Sequence, residues 1–227
     1  MKNRIVKMKK ESVAGKRKRA LAIIERLAPL YGLTATGKVG GRSPFRSLIA
    51  TVLSHRTRDE NTESASGKLL AQYPIAQALA KGNLAKIRSL IKEVGFWRVK
   101  AQRVREIARI LVRDFGGKVP DDYEGLLSLP GVGRKTAGCV LVFGFGRQAL
   151  PVDTHVHRIS NRLGLVRTRT PEETEAALLK IFPGDKLAPV NGTLVEHGKA
   201  VCRPISPLCS RCPVTELCNQ IGLERHR

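Results

Sequence analysis

Apolar residues recur every three or four positions from residue 20 onward, and this spacing constrains the possible folds more than any other feature of the chain. Phe45, Leu48, Ile49, Val52 and Leu53 share one helical face, and Ser43-Pro44 ahead of them supply an N-cap and a first-turn proline. Leu84, Ile87, Leu90, Ile91 and Val94 repeat the pattern up to Gly95. Val104, Ile107, Ala108 and Leu111 mark a further helix that ends at Gly116-Gly117. Thr170-Pro171-Glu172-Glu173 reads as a capping box opening another. No segment alternates as a half-buried strand does, so the expected fold is all-α.

The chain has 227 residues, enough for one large domain or two small ones, and its 42% hydrophobic content is enough to bury a core. No apolar run approaches the roughly 18 residues of a membrane span. The basic N-terminus has no secretory apolar segment, which predicts an intracellular protein: cytoplasmic, at the nucleoid, in a prokaryote, nuclear or mitochondrial otherwise. Lys and Arg number 41 against 19 Asp and Glu, a net charge of +22. So large an excess repels itself in a folded state and calls for a polyanionic partner. DNA or RNA fits better than a membrane, because no basic amphipathic helix carries an aromatic stripe. Residues 1–19 hold nine Lys or Arg and read as a flexible arm, able to add phosphate contacts, act as a targeting signal or stay solvated.

The most informative string is Leu126-Leu127-Ser128-Leu129-Pro130-Gly131-Val132-Gly133-Arg134-Lys135-Thr136-Ala137. A short apolar helix ends at Leu129, Pro130 breaks it, Gly131 and Gly133 allow a tight hairpin, and Arg134 begins a second helix running to about Phe145. Glycines let a phosphate approach the backbone, and the second helix offers free N–H groups at its positive end. Lys135 falls in the first turn of that helix and by residue type alone reads as one more exposed cation among 41 Lys and Arg. Asp153 precedes a helix expected over Thr154 to Leu163, where it reads as an N-cap.

Of five cysteines, Cys139 lies in an apolar run and reads as core. Cys202, Cys209, Cys212 and Cys218 are separated by six, two and five residues, and such clustering in an intracellular chain points to metal rather than disulfides. Four thiolates hold either zinc or an iron–sulfur cluster, and spacing alone leaves both open.

LPGVGRKTA, followed by VDTH and then the cysteine cluster, resembles the endonuclease III family of DNA glycosylases and AP lyases over roughly residues 20–220. The resemblance implies a helix-hairpin-helix over about residues 122–146 that grips DNA beside a flipped-out nucleotide. It implies Lys135 as the nucleophile at C1′, Asp153 as the catalytic aspartate, and a 4Fe–4S cluster on the four cysteines, structural and DNA-orienting. It also implies all-α architecture with two helical domains flanking a DNA-binding cleft, one spanning residues 37–147, the other residues 20–36 with 148–227 and the cluster loop. Gly131, Gly133 and Arg134 would contact the backbone, with His155 a phosphate or sugar contact. The family's gap-filling glutamine falls at Arg56 and its wedge leucine at Phe96; Phe96 and Trp97 read equally as core. The first inter-cysteine loop holds Arg203 as its single basic residue, fewer than family members often carry, which weighs against DNA contact there.

The implied protein is a monomeric base-excision enzyme acting on double-stranded DNA with oxidised pyrimidines or abasic sites. It would remove the base through a lysine Schiff base and nick the strand 3′ to the lesion by β-elimination. Two alternatives remain: a monofunctional mismatch glycosylase, against which Lys135 argues, and a non-catalytic helix-hairpin-helix protein with a structural metal.

Overall fold

The computed structural model describes residues 11–33, 43–223 and 227. Eleven α-helices run in chain order among them: α1 (Val13–Leu27), α2 (Pro44–Ser54), α3 (Asp59–Gln72), α4 (Ala76–Lys81), α5 (Leu84–Leu90), α6 (Trp97–Asp114), α7 (Tyr123–Leu127), α8 (Arg134–Phe145), α9 (Thr154–Arg162), α10 (Pro171–Ile181) and α11 (Ala188–Ala200). Short 3-10 turns cover Ala28–Tyr31, Gly184–Lys186, Cys209–Arg211 and Thr215–Leu217, and there is no strand among the described residues. No described helix is long and apolar enough to cross a membrane. The fold is all-α, as the apolar spacing predicts.

The chain divides into two compact units, Val39–Ala149 on one side and Met1–Lys38 with Leu150–Arg227 on the other. In the 39–149 unit, α2 lies against α8 and α3, and α6 against α4. The core is the stripe read from the sequence: Leu48, Ile49, Val52 and Leu53 of α2 are fully buried, as are Val104, Ile107 and Leu111 of α6. Cys139 is buried in this unit. In the other unit Ile23 and Leu27 of α1 join Val156, Ile159, Leu178, Val190 and Leu194.

Several boundaries differ from expectation, each for a local reason. The basic arm does not extend to residue 19: α1 begins at Val13, capped by Ser12 Oγ accepting from Gly15 N at 3.0 Å. Its arginines are structural. Arg17 donates to the Ile181 and Lys180 carbonyls at the end of α10, and Arg19 to the Leu163 and Leu217 carbonyls, with Glu11 as its ion-pair partner. Helix C-termini leave carbonyls unpaired and carry negative dipole ends, which guanidinium groups satisfy. The rest of the expected arm, residues 1–10, lies outside the described residues.

The α5 helix stops at Leu90 rather than at Gly95, because Ile91 leaves helical geometry and a turn from Ile91 to Val94 still buries both side chains. Gly95 is needed for another reason: a Cβ there would sit 2.6 Å from the Arg56 carbonyl oxygen. The helix before the hairpin ends at Leu127, two residues early. Ser43 precedes α2 without a side-chain cap bond, so its proline carries that boundary. The box at α10 forms with a shift: Thr170 Oγ1 accepts from Glu173 N, but Glu173 Oε2 accepts from Arg169 N instead of from Thr170 N.

Candidate functional site

At the hairpin, the chain turns through Gly131 at φ +71°, a left-handed value that glycine adopts without strain. Leu129 and Val132 are buried on either side and anchor the turn to the core. Gly133 is extended instead (φ −92°) and forms the N-cap of α8. A Cβ there would meet nothing within 4 Å, so the space over the first turn is open. The two glycines thus differ: Gly131 makes the turn, and Gly133 leaves the N-terminus of α8 uncovered. Arg134 stacks its guanidinium on the Tyr123 ring at 4.6 Å, which fixes a cation beside that opening. The Arg103 guanidinium lies over Gly131, occupying the space a Cβ would take.

Lys135 is half-buried in the first turn of α8. Its neighbour Thr136 is buried, and Thr136 Oγ1 hydrogen-bonds His55 Nε2 at 3.0 Å. Burial first, then the charges of Lys135, Lys100 and Arg103, hold the His55 imidazole below the usual histidine range. His55 therefore stays neutral and adds no charge beside Lys135.

The next residue is Arg56, at φ +50°, and Phe96 stands opposite at φ +57°. A non-glycine residue in this region costs on the order of 1–2 kcal/mol, so two facing each other indicate a constrained local geometry. Phe96 is 62% exposed, Trp97 packs on the core, and the Arg56 guanidinium lies 5.8 Å from the Phe96 ring. Of the paired aromatics, Phe96 is the one free to touch another molecule.

Beneath both turns lies a residue the motifs did not single out. Lys100 is 4% exposed, and its Nζ donates to the Leu53 carbonyl at 2.7 Å, the His55 carbonyl at 2.5 Å and Thr57 Oγ1 at 2.8 Å. Burial draws it down to about 8. Its position carried a signal, since it falls four residues before Val104 and seven before Ile107, on the apolar stripe of α6.

In the other unit Asp153 caps α9, with Oδ1 accepting from His155 N and Val156 N at 2.9 Å each. The cap role is met through one carboxylate oxygen. His155 turns to its own unit: its Nδ1 pairs with Arg158 Nη2 at 3.2 Å, its ring lies against Gly198, and burial is the main cause lowering its pKa.

Cys202, Cys209, Cys212 and Cys218 line one small apolar pocket with His197 and Arg162. Arg162 Nη1 donates toward Cys202 Sγ at 3.6 Å, Gln220 N toward Cys218 Sγ at 3.4 Å, and His197 Nε2 lies 3.7 Å from Cys212 Sγ. Burial raises Cys209, Cys212 and, to about 11, Cys218, and charge on neighbouring cysteines adds to the rise. Thiols that raise one another in this way need a cationic centre to become thiolates together. Among the described residues no three His, Cys, Asp or Glu side chains converge on a single ion position. The first inter-cysteine loop is fastened from α9: Arg158 donates to the Cys202 carbonyl, and Arg162 to those of Arg203 and Pro204.

An open helix N-terminus after a hairpin, a half-buried lysine in the next turn and four thiols around one pocket are the features that the resemblance to DNA-repair glycosylases implies. The family model for HhH-GPD superfamily base excision DNA repair proteins matches residues 49–184. Endonuclease III of Thermotoga maritima is 59% identical over 175 residues, covering 77% of this chain and 82% of that protein. Endonuclease III of Synechocystis is 40% identical over 91% of this chain and 94% of its own length. The chain belongs to the HhH-GPD superfamily and, within it, to the endonuclease III family. Among solved structures, a non-covalent endonuclease III–DNA complex aligns with TM-score 0.78 at 32% identity, covering 90% of this chain and 95% of that one. A thermostable thymine-DNA glycosylase aligns with TM-score 0.78 at 26% identity, covering 92% and 97%.

Proposed function

We propose that the protein is a base-excision DNA glycosylase with AP lyase activity, acting on oxidised pyrimidines and abasic sites in duplex DNA. The observation that carries this reading is Lys135 itself, a half-buried amine in the first turn of α8, directly after the open hairpin. The neutral amine attacks C1′ of the damaged nucleotide, the glycosidic bond breaks, and the base leaves with a proton. The sugar ring opens to an imine on Lys135 Nζ, the C2′ proton is removed, and the C3′–O bond breaks, which nicks the strand 3′ to the lesion. Asp153 stabilises the positive charge that grows on the sugar and assists proton transfer, in addition to capping α9. Gly131, Gly133 and Arg134 hold the backbone without reading sequence. Arg56 and Phe96 enter the duplex where the flipped nucleotide leaves a gap.

The four thiols support a 4Fe–4S cluster over a single zinc. A tetrahedral zinc needs its sulfurs within about 2.3 Å of one point, whereas an iron–sulfur cube accepts thiolates spread around a cavity. Cys202, Cys209, Cys212 and Cys218 would hold it; when bound it supplies a rigid cationic core that closes the loop. An absorbance spectrum and iron analysis test this, and a colourless zinc protein overturns it.

The thymine-DNA glycosylase neighbour keeps one second reading in view, a mismatch glycosylase that forms no imine. Borohydride trapping on damaged duplex separates the two. A covalent adduct that disappears in Lys135→Gln is the expected result. Base release without an adduct favours the mismatch reading, and an adduct that persists in Lys135→Gln removes Lys135 as the nucleophile.

A further inference from the structure

The Lys100 ammonium is directed at the 53–57 segment that carries Arg56, while the Lys100 backbone N–H donates to the Phe96 carbonyl at 3.0 Å. Two bonds go to carbonyls of the 53–55 segment, where α2 ends, and the third to Thr57 Oγ1. Thr57 Oγ1 also accepts from Gly95 N at 3.1 Å and donates to the His55 carbonyl at 3.2 Å. Gly95 in turn presses on the Arg56 carbonyl so closely that no side chain fits between them. The turn at 55–57 is thus joined to the turn at 94–96 by the Thr57 hydroxyl, and to the first turn of α6, directly after Phe96, by the buried ammonium. Both exposed tips, Arg56 and Phe96, sit in left-handed conformations that persist only when their surroundings enforce them.

We propose that Lys100 is a positioning residue for duplex opening, its ammonium locking the two turns into one rigid probe that presents Arg56 and Phe96 together. This rests on the reading that Arg56 and Phe96 enter the duplex. A simpler role, core stability, needs none of this arrangement: a methionine would fill the same space on the α6 stripe without burying a charge. Three hydrogen bonds, all to the 53–57 segment, offset the cost of burying the ammonium.

The test compares two substrates. Opening is followed by the fluorescence of 2-aminopurine placed beside an oxidised pyrimidine in duplex DNA. Chemistry alone is followed by borohydride trapping on single-stranded DNA with a preformed abasic site, which requires no opening. Lys100→Met and Thr57→Val are each expected to slow opening at least tenfold while single-strand trapping stays within twofold of the unmodified protein. Combined with Phe96→Ala, Lys100→Met should add little further loss, because both remove one probe. Opening at the unmodified rate in Lys100→Met and Thr57→Val, with Phe96→Ala slowed, overturns the positioning role and leaves the probe intact. Unchanged opening in Phe96→Ala and Arg56→Ala overturns the probe reading itself and the positioning role with it. If Lys100→Met loses single-strand trapping as well, its fold is damaged and Thr57→Val decides: slowed opening supports the proposal, and the unmodified rate overturns it.

Discussion

In the 39–149 unit the residues assigned to DNA stand on a core that is complete without them, whereas in the other unit Cys202, Cys212 and Cys218 pack against the core itself. The hairpin needs only Leu129 and Val132 as anchors and one left-handed glycine. The cysteine segment has two 3-10 turns of three residues each and carbonyls fastened by Arg158 and Arg162. A site placed on a finished core can vary its surface residues at small cost to stability. A site that closes its own core cannot, and its ligands are part of the folding free energy.

The largest expected effect breaks that comparison or upholds it. Cys212→Ser, or prolonged chelation, should abolish visible absorbance and raise amide hydrogen exchange across residues 150–223 and 13–27 far more than across 43–149. Equal loosening of both units would mean that the core of the 39–149 unit also depends on the cysteine site.

Asp153 comes next, because one residue carries a structural and a chemical role that can be separated. Asp153→Asn keeps a good N-cap, so stability should change by only a few tenths of a kcal/mol, while loss of the cap in Asp153→Ala costs about 1 kcal/mol. Base release should fall by about two orders of magnitude in both, a general acid–base contribution of the usual size. An Asp153→Asn protein with unmodified base release would reduce Asp153 to a cap.

These two sites also show what was legible in the sequence. The helices, the hairpin, the cap at Asp153 and the cysteine spacing all depend on neighbours within a few residues, so the string displays them. The capping of α9 and α10 by Arg19 and Arg17 was hidden, because those contacts join residues more than 140 positions apart, and a run of basic residues reads as a solvated arm. The stop at Leu90 was missed because Ile91 and Val94 are buried from a turn as completely as from a helix. Arg56 and Phe96 are 40 residues apart, and only tertiary structure sets one guanidinium over one ring. Lys100 was visible as a charge on an apolar stripe, but its three acceptors were not.

A smaller effect sharpens the division of labour between the glycines. Gly131→Ala forces a left-handed φ on a residue with a Cβ and should cost about 1–2 kcal/mol, read as a lower unfolding midpoint. Gly133→Ala meets neither strain nor a neighbour, so its midpoint should hold while affinity for duplex DNA falls several-fold. Equal destabilisation by both would show that Gly133 also serves the turn rather than the phosphate.

The smallest effect concerns pH and Lys100. Burial places Lys100 at about 8 in the folded protein, below the roughly 10.4 of an exposed lysine. Between these values the unfolded chain holds a proton the folded protein has released, so this residue's contribution to stability grows as pH rises through that window. The basic groups that share its surroundings through His55 are Lys135 and Arg103, and His55 itself is already neutral there. Against Lys100→Met, the unmodified protein should therefore gain in unfolding midpoint from pH 8 to 10, with about 2–4 °C for each kcal/mol at this chain length. Duplex opening should move the opposite way. A neutral amine has two N–H donors for three oxygen acceptors, so the 55–57 turn loses one tie as Lys100 deprotonates, and opening by the unmodified protein should slow above pH 8. A midpoint difference and an opening rate that are both flat across this range would mean that the ammonium stays charged, its three acceptors outweighing burial.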